Sequence, residues 1–144
     1  MEGFSTRDQI VQLVNKLYIY TDYQRWEDLQ KEVFTERVDF DMSSLGGEVA
    51  NKTAKSICDG WAEGFVGLDS VNHLGGNYLV TISDQEADVF AYATATHYKA
   101  SATLGKTRDF VGSYELHLIK TPAGWRINKF KYNLKYAAGN LELK

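Results

Sequence analysis

The feature that most constrains the fold of this chain is a change of periodicity near Gly67. Before that residue, apolar side chains recur at spacings of three and four, and after it apolar and polar side chains alternate in long runs separated by turn residues. Spacings of three and four place side chains on one face of a helix, whereas alternation places them on one face of a strand. Helices followed by a run of strands predict an α+β fold in which a curved antiparallel sheet packs on the helices.

Three helices are predicted in the first part of the chain. The first begins after Ser5, whose hydroxyl suits an N-cap, and it has Asp8 in its first turn. The second covers residues 26–34 and the third covers residues 53–65. A half-buried strand is predicted between these two helices, where Val38, Phe40 and Met42 alternate with Asp39 and Asp41.

Four further strands are predicted over residues 71–83, 86–103, 107–121 and 125–136. They exceed the usual strand length of about six residues, which indicates a strongly curved sheet wrapped over the helices. Within the last strand the apolar residues switch from odd-numbered to even-numbered positions, so a β-bulge is expected near Asn128 and Lys129. The Gly75-Gly76 pair predicts a similar adjustment in the first of the four.

Composition limits the domain count, the partners and the compartment. The 144 residues, of which 44% are hydrophobic, match one globular domain spanning residues 1–144. The net charge of −3 provides no strong field for a nucleic-acid backbone, so nucleic acid is not an expected partner. No apolar run is long enough for a membrane span, and the first residues lack the basic and apolar parts of a signal peptide. We therefore expect a cytoplasmic protein with no membrane partner.

The sequence contains few motifs that indicate a metal or cofactor site. Cys58 is the one cysteine, so an internal disulfide and a cysteine-based zinc site are excluded, and we interpret it as a small buried residue rather than a reactive thiol. Motifs of zinc proteases, P-loop hydrolases and serine hydrolases are absent. Two histidines and an aspartate would suit an iron triad, but a buried proton relay uses the same residues. We predict neither a metal nor another cofactor.

Asp22 is the first candidate for chemistry. It follows Tyr18 by four residues, so helix geometry places it at the edge of the apolar stripe, facing the sheet. A carboxylate in that position needs a cation or a hydrogen-bond donor as partner, which makes it a candidate general base or orienting group. The alternative is that Asp22 only satisfies backbone groups at the junction with the second helix.

The histidines are the other candidates. His97 ends a row of small side chains on one face of a strand: Val89, Ala91, Ala93 and Ala95. Small side chains leave open volume beneath the helices, where a histidine exchanges a proton near neutral pH; the alternative is a core histidine satisfied by a neighbour. His73 precedes the Gly75-Gly76 pair, and the sequence pattern does not decide which face of the strand its side chain lies on. His117 has the parity of Glu115, so we predict it on the outer surface.

Short segments in a particular order carry a family resemblance. They are residues 18–22, Trp26-Glu27-Asp28-Leu29, Phe34-Thr35, Val38-Asp39-Phe40, Asn72-His73, Asn77, residues 87–97, Gly112-Ser113-Tyr114-Glu115 and Gly124-Trp125-Arg126-Ile127. In this order they resemble the SnoaL-like branch of the nuclear-transport-factor-2-like superfamily. The resemblance spans nearly the whole chain and implies a cone, the cystatin-like α+β barrel, with an apolar pocket open at one end.

The resemblance also implies site residues. Scytalone dehydratase, a member of this superfamily, uses a pocket aspartate and two histidines for the proton transfers of an elimination, and Asp22, His73 and His97 match those positions. The implied substrate-binding residues are Tyr18, Phe40, Trp61, Tyr114 and Phe130. Thr21 and Phe40 stand where that enzyme has tyrosines that hold a water, so a related reaction is expected rather than the same dehydration.

Two functional hypotheses follow. The first is a cofactor-independent lyase or isomerase that acts on an apolar cyclic or polyketide-like molecule by dehydration, isomerisation or cyclisation. In it His97 is the main acid/base, Asp22 orients a histidine, and His73 is the second proton carrier or a substrate ligand. The second is a module of the same fold that binds a small molecule or assembles without catalysis, because this fold hosts both classes.

An assembly prediction follows from strand alternation. If His97 points into the cone, then Phe90, Tyr92 and Tyr98 point away from it. An exposed aromatic strip on a sheet usually marks an interface, so we predict a homodimer through the outer sheet face. The alternative is that the threonines between these aromatics let the strip tolerate solvent.

Overall fold

The computed structural model describes residues 3–144 and has the predicted order of helices followed by strands. Helix α1 spans Thr6–Asp22, and its N-cap Ser5 accepts a hydrogen bond from the backbone N–H of Asp8 at 3.1 Å. Helix α2 is one turn, Trp26–Asp28, and continues as a π-helical segment, Leu29–Val33. Helix α3 spans Ala54–Gly64. Within residues 3–144, no helix combines the length and the apolar character needed to cross a membrane.

Six strands form one curved sheet that does not close on itself. They are β1 (Phe34–Asp41), β2 (Val49–Thr53), β3 (Ser70–Ser83), β4 (Glu86–Tyr98), β5 (Thr107–Thr121) and β6 (Gly124–Gly139). The order across the sheet is β2-β1-β6-β5-β4-β3. Neighbouring strands are antiparallel except β1 and β6, which are parallel, so the sheet is mixed. Strands β2 and β3 lie at the two edges of the sheet.

The structure departs from the predicted elements in several places: one pair of the sheet predicted as antiparallel, β1 and β6, is parallel, and β1 begins at Phe34, which was predicted to end the second helix. Strand β2 was not expected from the sequence; it forms a hairpin with β1 around a 3₁₀ turn, Ser43–Leu45, which Gly46 ends with φ of 79°. Strand β4 ends at Tyr98 instead of continuing to residue 103. It ends there because the chain turns back, and the Lys99 N–H donates to the Lys106 carbonyl at 2.8 Å.

The expected irregularities in the sheet are present. In the β5–β6 pair, His117 lies opposite Lys129 and Leu118 opposite Ile127, so Asn128 is the extra residue of a bulge, as predicted. In the β3–β4 pair the register shifts just after Gly76, at Asn77, whose φ is 57°. These bulges bend the strands and keep apolar side chains on the inner face beyond the bend.

Helix α1 approaches the inner face of the sheet most closely at β3. A Cβ atom on Gly75 would lie 2.3 Å from a ring carbon of Tyr18. Glycine therefore allows the tyrosine ring to lie directly on the backbone of this edge strand.

The predicted alternation of inward and outward side chains along β4 is also present, because Val89, Ala91 and Ala93 are buried while Tyr92 is 41% exposed.

Gly75→Ala is expected to lower the free energy of unfolding by about 1–3 kcal/mol, because the added methyl group overpacks the contact with Tyr18. Gly76→Ala is the matched control, since a Cβ there would meet no atom within 4 Å. Urea unfolding of both variants measures the difference. Equal stability of the two variants would contradict the close approach of α1 to β3.

Candidate active site

A cavity of about 320 Å³ opens on the inner face of the sheet between α1 and α3. Much of its wall is apolar, with Leu17, Phe65, Ala95 and Phe110 among the lining residues. The lining residues with polar atoms in their side chains, apart from the tryptophan, are Tyr18, Thr21, His73, His97, Arg108, Tyr114 and Tyr132. An apolar pocket of this size with a few converging polar groups is typical of a small-molecule site.

A larger groove, of about 740 Å³, crosses the outer face of the sheet. Charged side chains such as Asp39, Glu115 and Lys131 line it, and they lie on the solvent side of their strands. Chemistry by titratable groups needs shielding from water, and the inner cavity offers it: the side chains of His73 and Asp22 are only 11% and 9% exposed. We therefore place the candidate active site in the inner cavity.

Asp22 and His73 form a close pair where α1 meets β3. The Asp22 Oδ2 atom accepts a hydrogen bond from the backbone N–H of His73 at 2.8 Å, and Oδ1 lies 2.5 Å from the ring Nδ1. The carboxylate accepts from Nδ1–H, so the neutral ring of His73 carries its lone pair on Nε2. Within residues 3–144, Nε2 has no hydrogen-bond partner. The Tyr18 ring stacks on this imidazole with centroids 6.0 Å apart.

His97 and Arg108 lie opposite each other on the paired strands β4 and β5. The Nε–H of Arg108 donates to Nδ1 of His97 at 3.0 Å. Since Nδ1 accepts this bond, the neutral ring of His97 carries its proton on Nε2. Burial, and after it the nearby charge of Arg108, lower the pKa of His97 to about 4. His97 therefore stays neutral at neutral pH and offers an N–H donor.

Two tyrosine hydroxyls in the cavity wall have no partner. The hydroxyls of Tyr18 and Tyr132 are buried and make no hydrogen bond within residues 3–144, and each residue is 4% exposed. Burial raises the pKa of both groups, so both remain protonated. Buried polar groups in folded proteins are nearly always satisfied, so these two hydroxyls, which belong to residues of the cavity wall, are exceptions.

Residues 3–131 match the family model described as the SnoaL-like domain. The chain belongs to the SnoaL-like domain family. Among the curated proteins there is no significant match to this sequence.

Solved structures share the fold of this SnoaL-like domain. A protein of Kribbella flavida is 22% identical, with a TM-score of 0.88 over 96% of this chain and 95% of that one. A candidate aromatic ring hydroxylase of Novosphingobium aromaticivorans is 20% identical, with a TM-score of 0.80 and coverages of 94% and 93%. A candidate scytalone dehydratase of the same species is 16% identical, with a TM-score of 0.74 and coverages of 90% and 84%. At these identities the likeness establishes the fold.

The SnoaL-like domain brings the expected residues together. His73 and His97 line the cavity, Asp22 lies behind His73, and the lining includes four of the five expected substrate-binding residues: Tyr18, Trp61, Tyr114 and Phe130. Phe40 lies one layer behind the wall, stacked on Phe130 with ring centroids 5.2 Å apart. Phe40 is therefore the one expected substrate-binding residue that does not line the cavity.

Sequence reasoning missed Arg108 and Tyr132. Arg108 has the same strand parity as Phe110 and Tyr114, which face inward, so alternation alone would have placed it in the cavity. Tyr132 shares the inward parity of Phe130 in β6. Arg108 was overlooked because an arginine near a strand end is more often solvated than buried.

The remaining sequence candidates lie outside the cavity. Cys58 is buried as expected, and burial raises the pKa of its thiol to about 11. His117 lies on the outer face, where its ring nitrogens contact Asp88 at 2.7 Å and Glu86 at 2.9 Å. Nowhere in residues 3–144 do three or more His, Cys, Asp or Glu side chains lie close enough together to hold a metal ion.

Acidification is expected to destabilise the protein through His97. Its folded pKa of about 4 lies below the ordinary value of 6.5, so between these values the unfolded chain binds a proton on His97 that the folded protein does not. Stability from this group is therefore complete above pH 6.5 and declines as the pH falls towards 4. Urea unfolding over this range should reveal a shallower pH dependence for His97→Gln, which keeps an acceptor for Arg108.

His117→Gln is the control, because His117 affects the pH dependence of stability in the opposite direction. Partial burial works against protonation of His117, but hydrogen bonds to Asp88 and Glu86 raise its pKa above the ordinary value. This histidine therefore contributes stability at low pH that is lost as the pH rises. Equal pH dependence of the wild type and His97→Gln would contradict the buried, neutral state of His97.

Proposed function

We propose that this SnoaL-like domain is a cofactor-independent lyase or isomerase that moves a proton on an apolar cyclic or polyketide-like molecule held in the inner cavity. The observation that carries the proposal is the contact between Asp22 and the ring of His73 at 2.5 Å, at the wall of an otherwise mostly apolar cavity. A histidine oriented by a buried carboxylate is a common arrangement for a general base.

His73 is the base in this proposal. Its Nδ1–H is held by Asp22, so the free Nε2 takes a proton from an acidic carbon of the substrate. The imidazolium that forms lies against the carboxylate, which stabilises its charge. The same nitrogen then returns the proton to a leaving hydroxyl in a dehydration, or to a second carbon in an isomerisation. A cyclisation begins with the same abstraction and continues by attack of the resulting carbanion on a carbonyl, and the imidazolium then gives its proton to the alkoxide that the attack creates.

His97 has a different role from the one predicted from the sequence, where it was the main acid/base. With a pKa of about 4 it remains neutral, and neutral imidazole is a weak acid near pH 7. Its Nε2–H is therefore proposed as a hydrogen-bond donor to a substrate oxygen rather than as the proton carrier. Asp22 keeps the orienting role, and the histidine that it orients is His73.

Deuterium exchange tests the proposal without knowledge of the natural substrate. Cyclic ketones, enones and 1,3-diketones are incubated with the protein in deuterium oxide, and incorporation at carbon is followed by proton NMR. We expect protein-dependent exchange for at least one class. Mass spectrometry of compounds that co-purify with the protein then identifies the class to pursue. Exchange that is equally fast with His73→Gln would contradict the assigned base.

A non-catalytic binding module is the second candidate, and one contact favours it. The hydroxyl of Thr21, which stands where scytalone dehydratase has a water-holding tyrosine, donates to the Leu17 carbonyl at 2.6 Å. The single O–H of Thr21 is thus engaged within α1, so this hydroxyl cannot donate a hydrogen bond to a water molecule as a tyrosine hydroxyl in its place would. A retained ligand that is recovered unchanged, together with no deuterium exchange in any compound class, would favour this candidate.

A further inference from the structure

Arg108 is a cation in the cavity wall, and no carboxylate of residues 3–144 bonds to it. Its Nε–H donates to His97 and one Nη1–H donates to the Leu141 carbonyl at 2.8 Å, so both contacts are to neutral acceptors. Its guanidinium carbon lies 5.5 Å from the centre of the Phe110 ring. A guanidinium has five N–H groups. The two on Nη2 and the second on Nη1 have no hydrogen-bond partner within residues 3–144.

No acidic side chain of the described residues compensates this charge directly. The neighbouring Asp109 points to the other face of β5, where it accepts a hydrogen bond from the Thr96 hydroxyl at 2.5 Å. Asp22 is engaged by His73. Partial burial lowers the pKa of Arg108, as expected for a cation that loses water without gaining an anion. A partly buried cation is stabilised most by a negative partner, and residues 3–144 provide none that bonds to it.

The polar atoms of the cavity wall are mostly hydrogen-bond donors. Besides Arg108, they include the Nε2–H of His97, while the unpartnered hydroxyls of Tyr18 and Tyr132 can donate or accept. The hydroxyls are an observation independent of the arginine, because each belongs to a residue that is 4% exposed and lines the cavity. A ligand with oxygen acceptors suits these donors, and a negative one is favoured by Arg108.

We propose that Arg108 binds a resonance-delocalised oxyanion on the cyclic ligand of the inner cavity, either a permanent carboxylate or the enolate that the reaction creates. This inference rests on the proposed function for the location of the ligand. Arginine suits such a group because its planar fork matches two oxygens or one oxygen with spread charge. Arg108 is therefore the residue that selects acidic cyclic compounds over neutral ones of the same shape.

The charges balance during proton abstraction. The proton leaves a carbon next to a carbonyl and binds to Nε2 of His73, while the electron pair of the broken C–H bond forms a C=C bond and the carbonyl oxygen becomes negative. The imidazolium of His73 lies against Asp22, and the new oxyanion lies against Arg108. The wall thus provides one opposite charge for each charge that the step creates.

Isothermal titration calorimetry with matched probes tests this proposal at neutral pH. The first pair is 2-naphthoate and 2-naphthamide, and the second is the enolate of a cyclic 1,3-diketone and its neutral methyl enol ether. We expect the wild type to bind at least one anion about tenfold or more tightly than its neutral partner. Preference within the first pair identifies a carboxylate site, and preference within the second pair alone identifies an enolate site.

Arg108→Gln should remove the preference for the anion while keeping the affinity for the neutral probe. Arg37→Gln is the matched control, because Arg37 is exposed on β1 and bonds Asn51, away from the cavity. Arg108→Lys retains the charge and should retain part of the preference, so it replaces the glutamine variant if that variant fails to fold.

Three results would overturn the proposal: equal wild-type affinities within both pairs, no binding of any probe at millimolar concentration, or an anion preference that survives in Arg108→Gln. None of these measurements involves turnover. Failure of deuterium exchange therefore counts against the proposed function alone, and absence of an anion preference counts against the role of Arg108 alone.

Discussion

Asp22→Asn should lower the rate of the protein-dependent proton exchange by about a hundredfold to ten-thousandfold, the range of a lost general base. The expectation follows from the two separate contacts of the carboxylate. One oxygen accepts from the backbone N–H of His73 at 2.8 Å, and the other lies 2.5 Å from its ring Nδ1. Asparagine has only one oxygen, so it cannot accept at both positions.

The substitution reverses the histidine tautomer. If the amide oxygen of the new side chain keeps the backbone contact, its NH₂ group faces Nδ1 of His73. A donor at that place requires Nδ1 to accept, so the ring proton moves to Nε2, and the lone pair that takes the substrate proton is lost. The fold is expected to survive because asparagine has nearly the same shape and keeps one hydrogen bond.

Matched variants separate this effect from general damage. Asp69→Asn changes a carboxylate outside the cavity, whose Oδ2 accepts from the Ala100 N–H, and it should leave the exchange rate unchanged. His73→Gln should reduce the rate as much as Asp22→Asn, and the double variant should lose no more than either, since the two residues act as one unit. Wild-type exchange in Asp22→Asn, with the fold verified by circular dichroism, would refute the base assignment.

The sequence was sufficient for the elements that carry strong periodicity. The three-and-four spacing of α1 already placed Asp22 on the side of the sheet, and the alternation along β4 placed His97 inside. It was insufficient for β2, whose five residues are mostly polar and become a strand only by pairing with β1. Short edge strands of this kind depend on their partner rather than on their own pattern.

The pairing within the site depends on tertiary contacts. Asp22 and His73 are 51 residues apart, and they meet because Gly75 lets α1 lie directly on the edge strand β3. The side that His73 faces could not be derived from parity, since a bulge at Asn77 interrupts β3 shortly after it. Arg108 was derivable from parity, and its partner His97 follows only once the register of β4 and β5 is known.

The prediction of a homodimer rests on the apolar side chains of the outer sheet face. Large apolar side chains are exposed on β3 and β4 and on β6: Leu74 is 75% exposed, Leu79 68%, Tyr136 58% and Tyr92 41%. Phe90 packs edge-to-face on Tyr92 with centroids 5.4 Å apart. An apolar patch of this kind is costly in water, and a two-fold axis would cover it with the same patch of a second copy.

Charges beside the patch suit the same symmetry. The groove across the outer face has acidic residues on β1 and β4, including Asp39 and Asp88, and basic Lys129 and Lys131 on β6. In a two-fold interface, residues away from the axis meet different residues of the partner, so acidic and basic rows are able to face each other. These charges would set the register of the two sheets, while the apolar patch contributes the burial.

Tyr92→Lys is therefore expected to convert a homodimer into a monomer, measured by sedimentation equilibrium at micromolar concentration. The substitution removes the centre of the patch and brings a second ammonium next to Lys135, whose Nζ lies 5.0 Å from the centre of the Tyr92 ring. A charge buried there without a partner opposes association. Tyr23→Lys is the control, because Tyr23 is a 75% exposed tyrosine that follows α1, outside the sheet. A mass of 16.3 kDa for the wild type at every concentration, or a doubled mass that persists in Tyr92→Lys, would refute this interface.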